Sequence, residues 1–332
     1  SPDYNDASWR HLNLPHDWAI EGDFRDGNPS GAGGGALPGG IGWYRKHLAI
    51  SEEEASTLKT KKYWLAFDGV YMNSTVYVNG KEVGHRPYGY SSFEYDITPE
   101  LKTGDNVIAV KVDNSDQPNS RWYSGCGIYR HVWLTTTSTL HFDHWGVQVV
   151  TNAKGDVVVN AKYTDESGSS LRPLLRSTVL DASQRVVARK EGSNATQKLH
   201  VSRPHLWSIT NPYVYTVKTE LVVGGRTVDE VYTTTGFRSF RFDAKTGFWL
   251  NGSNFKLNGV CEHHDLGALG AAFNEDAMHR KLTRLKEMGV NALRCTHNPP
   301  APELLDMCDT MGIAVLDESF DRWRRKKTKN DY

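Results

Sequence analysis

Two hydrophobic patterns divide the chain, and the first is an alternation of apolar and polar residues. The segment 73–78 alternates with a period of two and is followed by Asn79-Gly80, and a second alternating run covers 106–112. Alternation that ends in Asn-Gly is typical of a β-hairpin. Short strands separated by Gly, Asn and Pro turns predict an all-β sandwich for residues 1–137.

A second all-β stretch follows from residue 138 to 240. It contains short apolar strands such as 147–150 and 213–217. About 100 residues with some seven short strands are typical of an immunoglobulin-like β-sandwich. This stretch has no cysteine, so we expect packing alone to hold it together. Nothing in it suggests chemistry.

The second pattern begins after Phe240, where strands and helices alternate. The spacing predicts a strand at 255–260, a strand at 290–294, a helix at 302–311 and a strand at 313–317. Between the first two strands, Asn274 caps a helix that ends at Gly289. The apolar positions of that helix share one face and are Met278, Leu282, Leu285 and Met288. This βαβαβ order predicts parallel strands with covering helices in residues 241–332.

A cluster of polar residues ends each of these three strands. The clusters are 262–265, 296–298 and 318–319. The carboxyl ends of the strands of a βα barrel face one common site, which favours a barrel. A doubly wound nucleotide-binding sheet is disfavoured because no G-x-G-x-x-G follows the first strand. Three strands of eight cannot close, so we expect an incomplete barrel.

Composition excludes several classes of protein. Thirty-nine Lys+Arg balance thirty-nine Asp+Glu, which argues against nucleic-acid binding. No run of about 18 apolar residues is present, so no membrane span is expected. Four cysteines without a C-x-x-C pair exclude a disulfide scaffold and the common zinc modules. Localisation stays open between cytoplasm, periplasm and secretion, because any signal peptide would precede Ser1.

Eight short segments, in order along the chain, resemble glycoside hydrolase family 2. The resemblance implies a sugar-binding jelly-roll-like domain, an immunoglobulin-like β-sandwich and the first three βα units of a catalytic TIM barrel. Within the family the pattern looks most like bacterial β-galactosidases. The segments are 14–18 (LPHDW), 67–70 (FDGV), 76–80 (VYVNG), 125–130 (GCGIYR), 236–238 (GFR), 257–260 (LNGV), 294–300 (RCTHNPP) and 317–321 (DESFD).

The resemblance implies retaining hydrolysis of a β-galactoside by two glutamates. Retaining enzymes need two carboxyl groups about 5–5.5 Å apart, one as acid/base and one as nucleophile. In the family these follow the fourth and seventh barrel strands, so neither is expected in this chain. The Asn274-Glu275 pair caps a helix and is not the family's Asn-Glu. We therefore expect no catalytic residue in the chain and no activity from it alone.

The resemblance also assigns roles in substrate binding to residues at the ends of the barrel strands. His263 and His297 match family histidines that hydrogen-bond sugar hydroxyls, and an imidazole can donate or accept near neutral pH. Asn298 is a further candidate for the sugar contact. Arg294 and Glu318 are expected to organise the site rather than to react.

The first domain is expected to reach over the barrel mouth with the loop 114–123. Asn119 stands about where better-studied members have a sugar-binding aspartate, and an amide can still bond hydroxyls. Trp122 either stacks on a sugar face or packs between the domains.

No metal or cofactor is expected. Some members bind magnesium through Glu-x-His after the third strand, but this chain has Asp321-Arg322-Trp323 there. The neighbouring residues 262–265 imitate a metal cluster, yet side chains in one loop seldom converge on one ion.

Several alternatives stay open. β-Glucuronidase and β-mannosidase share these three leading domains, so the sugar is not decided between galactoside, glucuronide and mannoside. A different class would be a non-catalytic carbohydrate-binding protein that uses the first domain as a lectin, and a purely structural sandwich is a third. The expected partner is a carbohydrate, together with either a second copy of the chain or the missing C-terminal half of the enzyme, because an open barrel exposes apolar surface.

Overall fold

The first module is a sandwich of two antiparallel sheets. The computed structural model describes residues 1–321 and 325–330. The sheets have the strand orders β1-β6-β3-β4 and β5-β2-β7, and a short helix, α1 (Glu52–Ser56), follows the first strand. The strands are β1 (Gly40–Ile50), β2 (Lys61–Phe67), β3 (Ser74–Val78), β4 (Lys81–Arg86), β5 (Phe93–Asp96), β6 (Gly104–Asn114) and β7 (Val132–Ser138).

The alternation along β3 explains how this sandwich is packed. Val76 and Val78 are fully buried between the sheets, whereas Tyr77 lies on the outer face. The β3–β4 turn has Asn79 and Gly80 at φ 50° and 84°. Two consecutive positive φ angles are what a tight hairpin turn requires, and Asn-Gly tolerates them. The predicted hairpin is therefore confirmed.

The second module is also a sandwich, with seven strands in two sheets ordered β11-β10-β13-β14 and β12-β9-β8. Val157, Val179, Val217 and Phe237 are fully buried in its core. The immunoglobulin-like architecture is confirmed. The strands are β8 (Leu140–Thr151), β9 (Asp156–Asp165), β10 (Leu174–Leu180), β11 (Val186–Gly192), β12 (Thr196–His200), β13 (Tyr215–Val223) and β14 (Arg226–Thr235).

The third module starts with an antiparallel hairpin and continues as a parallel sheet. The hairpin consists of β15 (Phe240–Asp243) and β16 (Gly247–Leu250), and the short strand β17 (Ser253–Asn254) pairs with β16. The parallel sheet is β18 (Gly259–Glu262), β19 (Ala292–Cys295) and β20 (Ala314–Leu316), connected through helices α2 (Glu275–Glu287) and α3 (Pro302–Met311). This confirms an incomplete barrel, of which the described residues contain three parallel strands and the two helices that connect them.

The strand predicted at 255–260 is wrong at its start. The Phe255 amide donates to the Phe248 carbonyl and so still belongs to the hairpin. The Asn258 amide donates to the side chain of Asn291 at 2.9 Å, and pairing with β19 begins only at Gly259. A run of apolar residues does not show where one sheet ends and the next begins.

Helix α2 packs by the predicted face, except at its end. Asn274 caps it by accepting the Ala277 amide at 2.9 Å. Met278 and Leu282 are buried against α3 and the parallel sheet, with Leu285 partly covered. Met288, predicted on the same face, is 77% exposed because it is the C-cap residue, where the chain leaves the helix.

The first and third modules are joined by hydrogen bonds along a continuous interface. Arg130 donates to the Pro299 carbonyl at 2.8 Å, and the Phe273 amide donates to the Tyr129 carbonyl at 2.9 Å. Trp207 of the second module donates to the Asp309 carbonyl at 2.7 Å. The carboxyl end of the parallel sheet therefore lies against the first module.

Within the described ranges, no helix has the length and apolarity to cross a membrane.

Candidate substrate-binding site

The three parallel strands bring three sequence-predicted residues together. His263 directly follows β18, His297 lies two residues beyond β19, and Glu318 lies two residues beyond β20. The register pairs Glu262 with Cys295, so the ends of β18 and β19 are level. As a result the rings of His263 and His297 lie 6.0 Å apart, in an edge-to-face orientation.

Trp122 from the first module lies between these histidines. Its ring stacks on His263 at 5.3 Å and 16°, and its edge contacts His297 at 5.3 Å and 65°. The indole nitrogen donates to the Tyr90 hydroxyl at 3.2 Å, which fixes the ring. Trp122 therefore packs between the modules and borders the predicted sugar contacts at the same time.

The Glu318 carboxylate accepts hydrogen bonds from both Arg294 and His297. Arg294 Nε donates to Oε1 at 2.7 Å, and His297 Nδ1 lies 2.8 Å from Oε2. Burial disfavours the charged carboxylate, but the hydrogen bonds from His297 and Arg294 outweigh it and lower the pKa of Glu318. A carboxylate only accepts, so Nδ1 of His297 carries a proton. This arrangement fixes the ring and leaves Nε2 for another partner.

Asp321 is a further charged group near His297, and sequence reasoning did not assign it to the site. Asp321 accepts two hydrogen bonds from Arg121 at 2.9 and 3.0 Å and one from Lys327 at 2.8 Å. Its carboxylate lies 4.0 Å from Nε2 of His297. Burial opposes ionisation, but Lys327 and Arg121 together lower the pKa of Asp321. No local sequence signal could reveal this group, because Arg121 and Asp321 are 200 positions apart.

His264 faces the first module and does not join the group formed by His263, His297 and Trp122. Its Nε2 donates to the Ser124 carbonyl at 3.0 Å. Burial lowers the pKa of His264 to about 4, so the ring is neutral at pH 7.

A small cavity of about 20 Å³ adjoins His264 and Asn298. The Nδ1 atom of His264 and the Nδ2 atom of Asn298 are buried without a hydrogen-bond partner among the described residues. A cavity of this size holds about one water molecule, which could serve both atoms. The structure thus places the Asn298 side chain, 4% exposed, in the interior beside this cavity.

The amide of Asn119 is engaged within the first module. It accepts from the Tyr71 hydroxyl at 2.8 Å and donates to Asn114 and to the Asp116 carbonyl at 2.7 and 3.0 Å. The structure therefore does not bring Asn119 into contact with the histidines, unlike its neighbour Trp122.

Glu262, the last residue of β18, forms an ion pair with Lys281 of α2. Glu262 contacts the Lys281 ammonium, which also donates to the Asp265 carbonyl at 2.9 Å. Burial raises the pKa of Glu262, partly offset by Lys281. In the stretch 321–323, which was compared above with the magnesium-binding Glu-x-His motif, Arg322 and Trp323 lie outside the described residues.

Among the described residues, one group has three possible metal ligands within 4.8 Å of one another: Asp68, His131 and Glu303. His131 bonds Glu303 at 2.7 Å, and Asp68 accepts the Trp133 indole at 2.7 Å. These hydrogen bonds explain why the three side chains lie close together, and the bond between His131 and Glu303 links the first module to the third.

Comparison with known families covers most of the chain. Residues 37–138 match the model for the sugar binding domain of glycosyl hydrolases family 2, residues 133–238 match the family 2 model, and residues 243–321 match its TIM barrel domain. The chain belongs to glycoside hydrolase family 2. Its three modules follow the order of these three family models.

Two curated relatives align with the whole chain. A β-galactosidase of Bacteroides ovatus is 52% identical over 345 residues, and the chain covers 40% of it. A putative β-glucuronidase of Formosa agariphila is 42% identical, and the chain covers 33% of it. This family member therefore spans a third to two fifths of the length of these relatives.

Solved structures show the same architecture. A β-glycosidase from Bacteroides vulgatus superimposes with a TM-score of 0.93 at 39% identity, over 99% of this chain and 43% of the other. A family 2 β-glucuronidase has a TM-score of 0.89 at 28% identity, over 99% of this chain and 38% of the other.

Proposed function

We propose that this chain forms the substrate-binding wall of a retaining β-glycosidase that hydrolyses terminal β-D-galactosides. The observation that carries the proposal is the contact of Trp122 with both His263 and His297. It joins a first-module aromatic ring to two imidazoles at the end of a parallel sheet, where barrel sites form. The 52% identity to a β-galactosidase supports galactose as the sugar.

The residues in the chain would bind and orient the sugar. His297 commits Nδ1–H to Glu318, so Nε2 is the ring nitrogen left for a hydrogen bond with a sugar hydroxyl. Burial lowers the pKa of His263, which favours the neutral form of that ring. Arg294 keeps Glu318 ionised and the His297 ring oriented. Asn298 and Asn119 would support these groups indirectly. Asn298 would act from the cavity beside His264, and Asn119 through its hydrogen bond with the Tyr71 hydroxyl.

The two reacting glutamates are proposed to lie in barrel strands beyond the three present here. Retaining hydrolysis requires two carboxyl groups about 5–5.5 Å apart, one to protonate the leaving oxygen and one to form the glycosyl-enzyme. In this proposal Glu318 is not one of them, because Arg294 and His297 already occupy its oxygens. The 332-residue chain alone should therefore be inactive.

The proposed domain limits are 1–137, 138–240 and 241–332. They are supported by the change of sheet between Ser138 and Leu140, and by the start of the hairpin at Phe240. Exposed apolar side chains occur on the third module: Leu316 on β20, the last strand of the parallel sheet, is 58% exposed, and Phe240 and Phe242 on β15 are 60% and 71% exposed. The partner proposed for this surface is the remaining barrel, and a second copy of the chain is the alternative.

β-Glucuronidase is the second candidate function. It is favoured by the putative β-glucuronidase at 42% identity and by glucuronidase structures with TM-scores up to 0.89. No comparable observation supports β-mannosidase or a non-catalytic lectin. The two favoured sugars differ in the configuration of C4 and at C6, which is a carboxylate in the glucuronide and a hydroxymethyl group in the galactoside, so their nitrophenyl glycosides separate the hypotheses.

The test uses a longer polypeptide that carries all eight barrel strands. We expect it to hydrolyse p-nitrophenyl β-D-galactoside at least about 100-fold faster, in kcat/KM, than the glucuronide, and the 332-residue chain to hydrolyse neither. His297→Ala should lower kcat/KM by roughly 10²-fold or more, while the exposed control Trp145→Ala should not. Faster turnover of the glucuronide would overturn the sugar assignment, and activity in the 332-residue chain would overturn the division of roles.

A further inference from the structure

The outer face of the sheet β1-β6-β3-β4 carries a groove that shares no lining residue with the candidate site. Its volume is about 470 Å³. Six of its lining residues matter here: Tyr4, Trp9, Trp43, Arg45, Tyr77 and Ala109. This size lies within the range of about 300–1,000 Å³ that is usual for small-molecule sites.

The strand register builds the aromatic part of the groove. Ala109 on the central strand β6 pairs with Arg45 on one side and with Tyr77 on the other. Because β1 and β3 are two strand spacings apart, about 9.6 Å, a small residue between them leaves room above the sheet. The side chains of Trp43 and Tyr77 occupy this space, and their ring centroids are 6.0 Å apart with 29° between the ring planes.

The N-terminal segment forms the opposite wall. Tyr4 and Trp9 contact each other edge-to-face at 5.6 Å. Arg45, whose side chain is only 7% exposed, donates to Asp6 at 2.6 Å and to the Ser1 carbonyl at 3.0 Å. The guanidinium therefore anchors this wall to the sheet, and Asp6 balances its charge.

The chemistry of the groove selects its occupant. Trp43 and Tyr4 remain 47% and 54% exposed, and they lie in one group with Tyr77 and Trp9. A contiguous exposed apolar patch of this kind, unlike a single exposed ring, marks an interaction site. Among the described lining residues, the charged side chain is that of Arg45, and it is already paired with Asp6, so the groove favours an uncharged ligand. A pyranose ring has an apolar C–H face that stacks on such rings and hydroxyls at its edge that reach polar tips such as the tyrosine hydroxyls.

We propose that this groove binds a neutral oligosaccharide chain, with one pyranose stacked on Trp43 and Tyr77. It is a second, non-catalytic carbohydrate site, which would hold a polymeric glycan by its chain while the barrel site takes a terminal sugar. The groove requires neither His263 nor His297, so it is independent of the proposed hydrolysis.

The test is affinity electrophoresis of the 332-residue chain in native gels that contain β-1,4-galactan, glucomannan or mixed-linkage β-glucan. We expect at least one of these polymers to retard the protein. Trp43→Ala should weaken binding roughly tenfold or more, as removal of a central aromatic contact does. The matched control is Trp145→Ala, a 66% exposed tryptophan on β8, and it should bind like the parent protein.

Three outcomes would overturn the proposal: no retardation by any of the three polymers, equal retardation of the parent and Trp43→Ala, or a dimer in sedimentation that Trp43→Ala dissociates. The last would identify the face as a protein interface. Trp122→Ala separates this inference from the proposed function. If Trp122→Ala abolishes retardation and Trp43→Ala does not, the glycan is bound at the barrel site.

Discussion

The buried carboxylate of Asp17 gives the sharpest test of how the first and third modules are joined. Asp17 is 2% exposed, and its Oδ1 accepts the amides of Ala19 and Cys126 at 3.0 and 2.8 Å. Its Oδ2 accepts the Ala271 amide at 2.9 Å and a hydrogen bond from the Tyr123 hydroxyl. One side chain thus ties the N-terminal segment, the loop before β7 and the loop after β18.

Asp17→Ala leaves three backbone amides and one hydroxyl without their acceptor. Each buried unsatisfied group costs about 1–3 kcal/mol, but water entering the space recovers part of this. We therefore expect a net loss of about 3–5 kcal/mol, within the range for breaking a buried network. Asp17→Asn keeps an oxygen acceptor for the amides of Ala19 and Cys126 but places an NH₂ donor opposite the Ala271 amide, which is also a donor. We therefore expect a smaller loss of stability, about 2 kcal/mol.

Hydrogen exchange is the right assay, because a chain of three modules does not unfold in one two-state step. If local opening becomes 3 kcal/mol easier, the Cys126 and Ala271 amides should exchange more than about 100-fold faster. Amides of the β9–β12 pairing serve as the internal reference, and Asp26→Ala, an exposed aspartate, is the control variant. Unchanged protection at Ala271 in Asp17→Ala would refute the reasoning.

Three further predictions concern the barrel module. The pKa of Glu318 should lie below its ordinary 4.5, so its stabilisation is complete above about pH 4.5 and is lost as the pH falls through the lower folded-state value; a ¹³C titration midpoint at or above 4.5 would contradict the bonds to His297. The pKa of His264 should be about 4, so between pH 6.5 and 4 only the unfolded chain gains this proton and stability falls by up to about 3 kcal/mol; an NMR midpoint near 6.5 would disprove it. Leu282→Ala should make opening of the barrel module about 2–5 kcal/mol easier, measured by hydrogen exchange of the α2 amides, whereas Met288→Ala should change it by no more than about 0.5 kcal/mol; equal changes would show that the α2 face is misassigned.

The fold could be predicted where a short stretch of chain determines its own structure. The alternation in 73–78 and the Asn79-Gly80 turn need only their neighbours, as does the Asn274 cap of α2. Met288 shows the limit of such reasoning. The helical spacing continues to this position, but the chain turns away one residue after the helix and exposes it.

The candidate site could be predicted only in part. His263, His297 and Glu318 follow parallel strands, so the topology alone brings them to one edge. The position of Trp122 depends on how two modules dock, and its 5.3 Å contacts join residues more than 100 positions apart. The same holds for Asp321, whose partner Arg121 comes from the other module.

The placement of Trp122 has a consequence for engineering by recombination. Family 2 chains invite exchange of their leading sandwich, because it is a self-contained fold. Here, however, that sandwich supplies the indole against which His263 and His297 rest. A chimera that receives another leading sandwich would also receive a different side chain at this edge of the proposed sugar pocket. The sandwich and the barrel of a chimera should therefore be chosen so that this aromatic contact is kept, and overall sequence similarity is the poorer criterion.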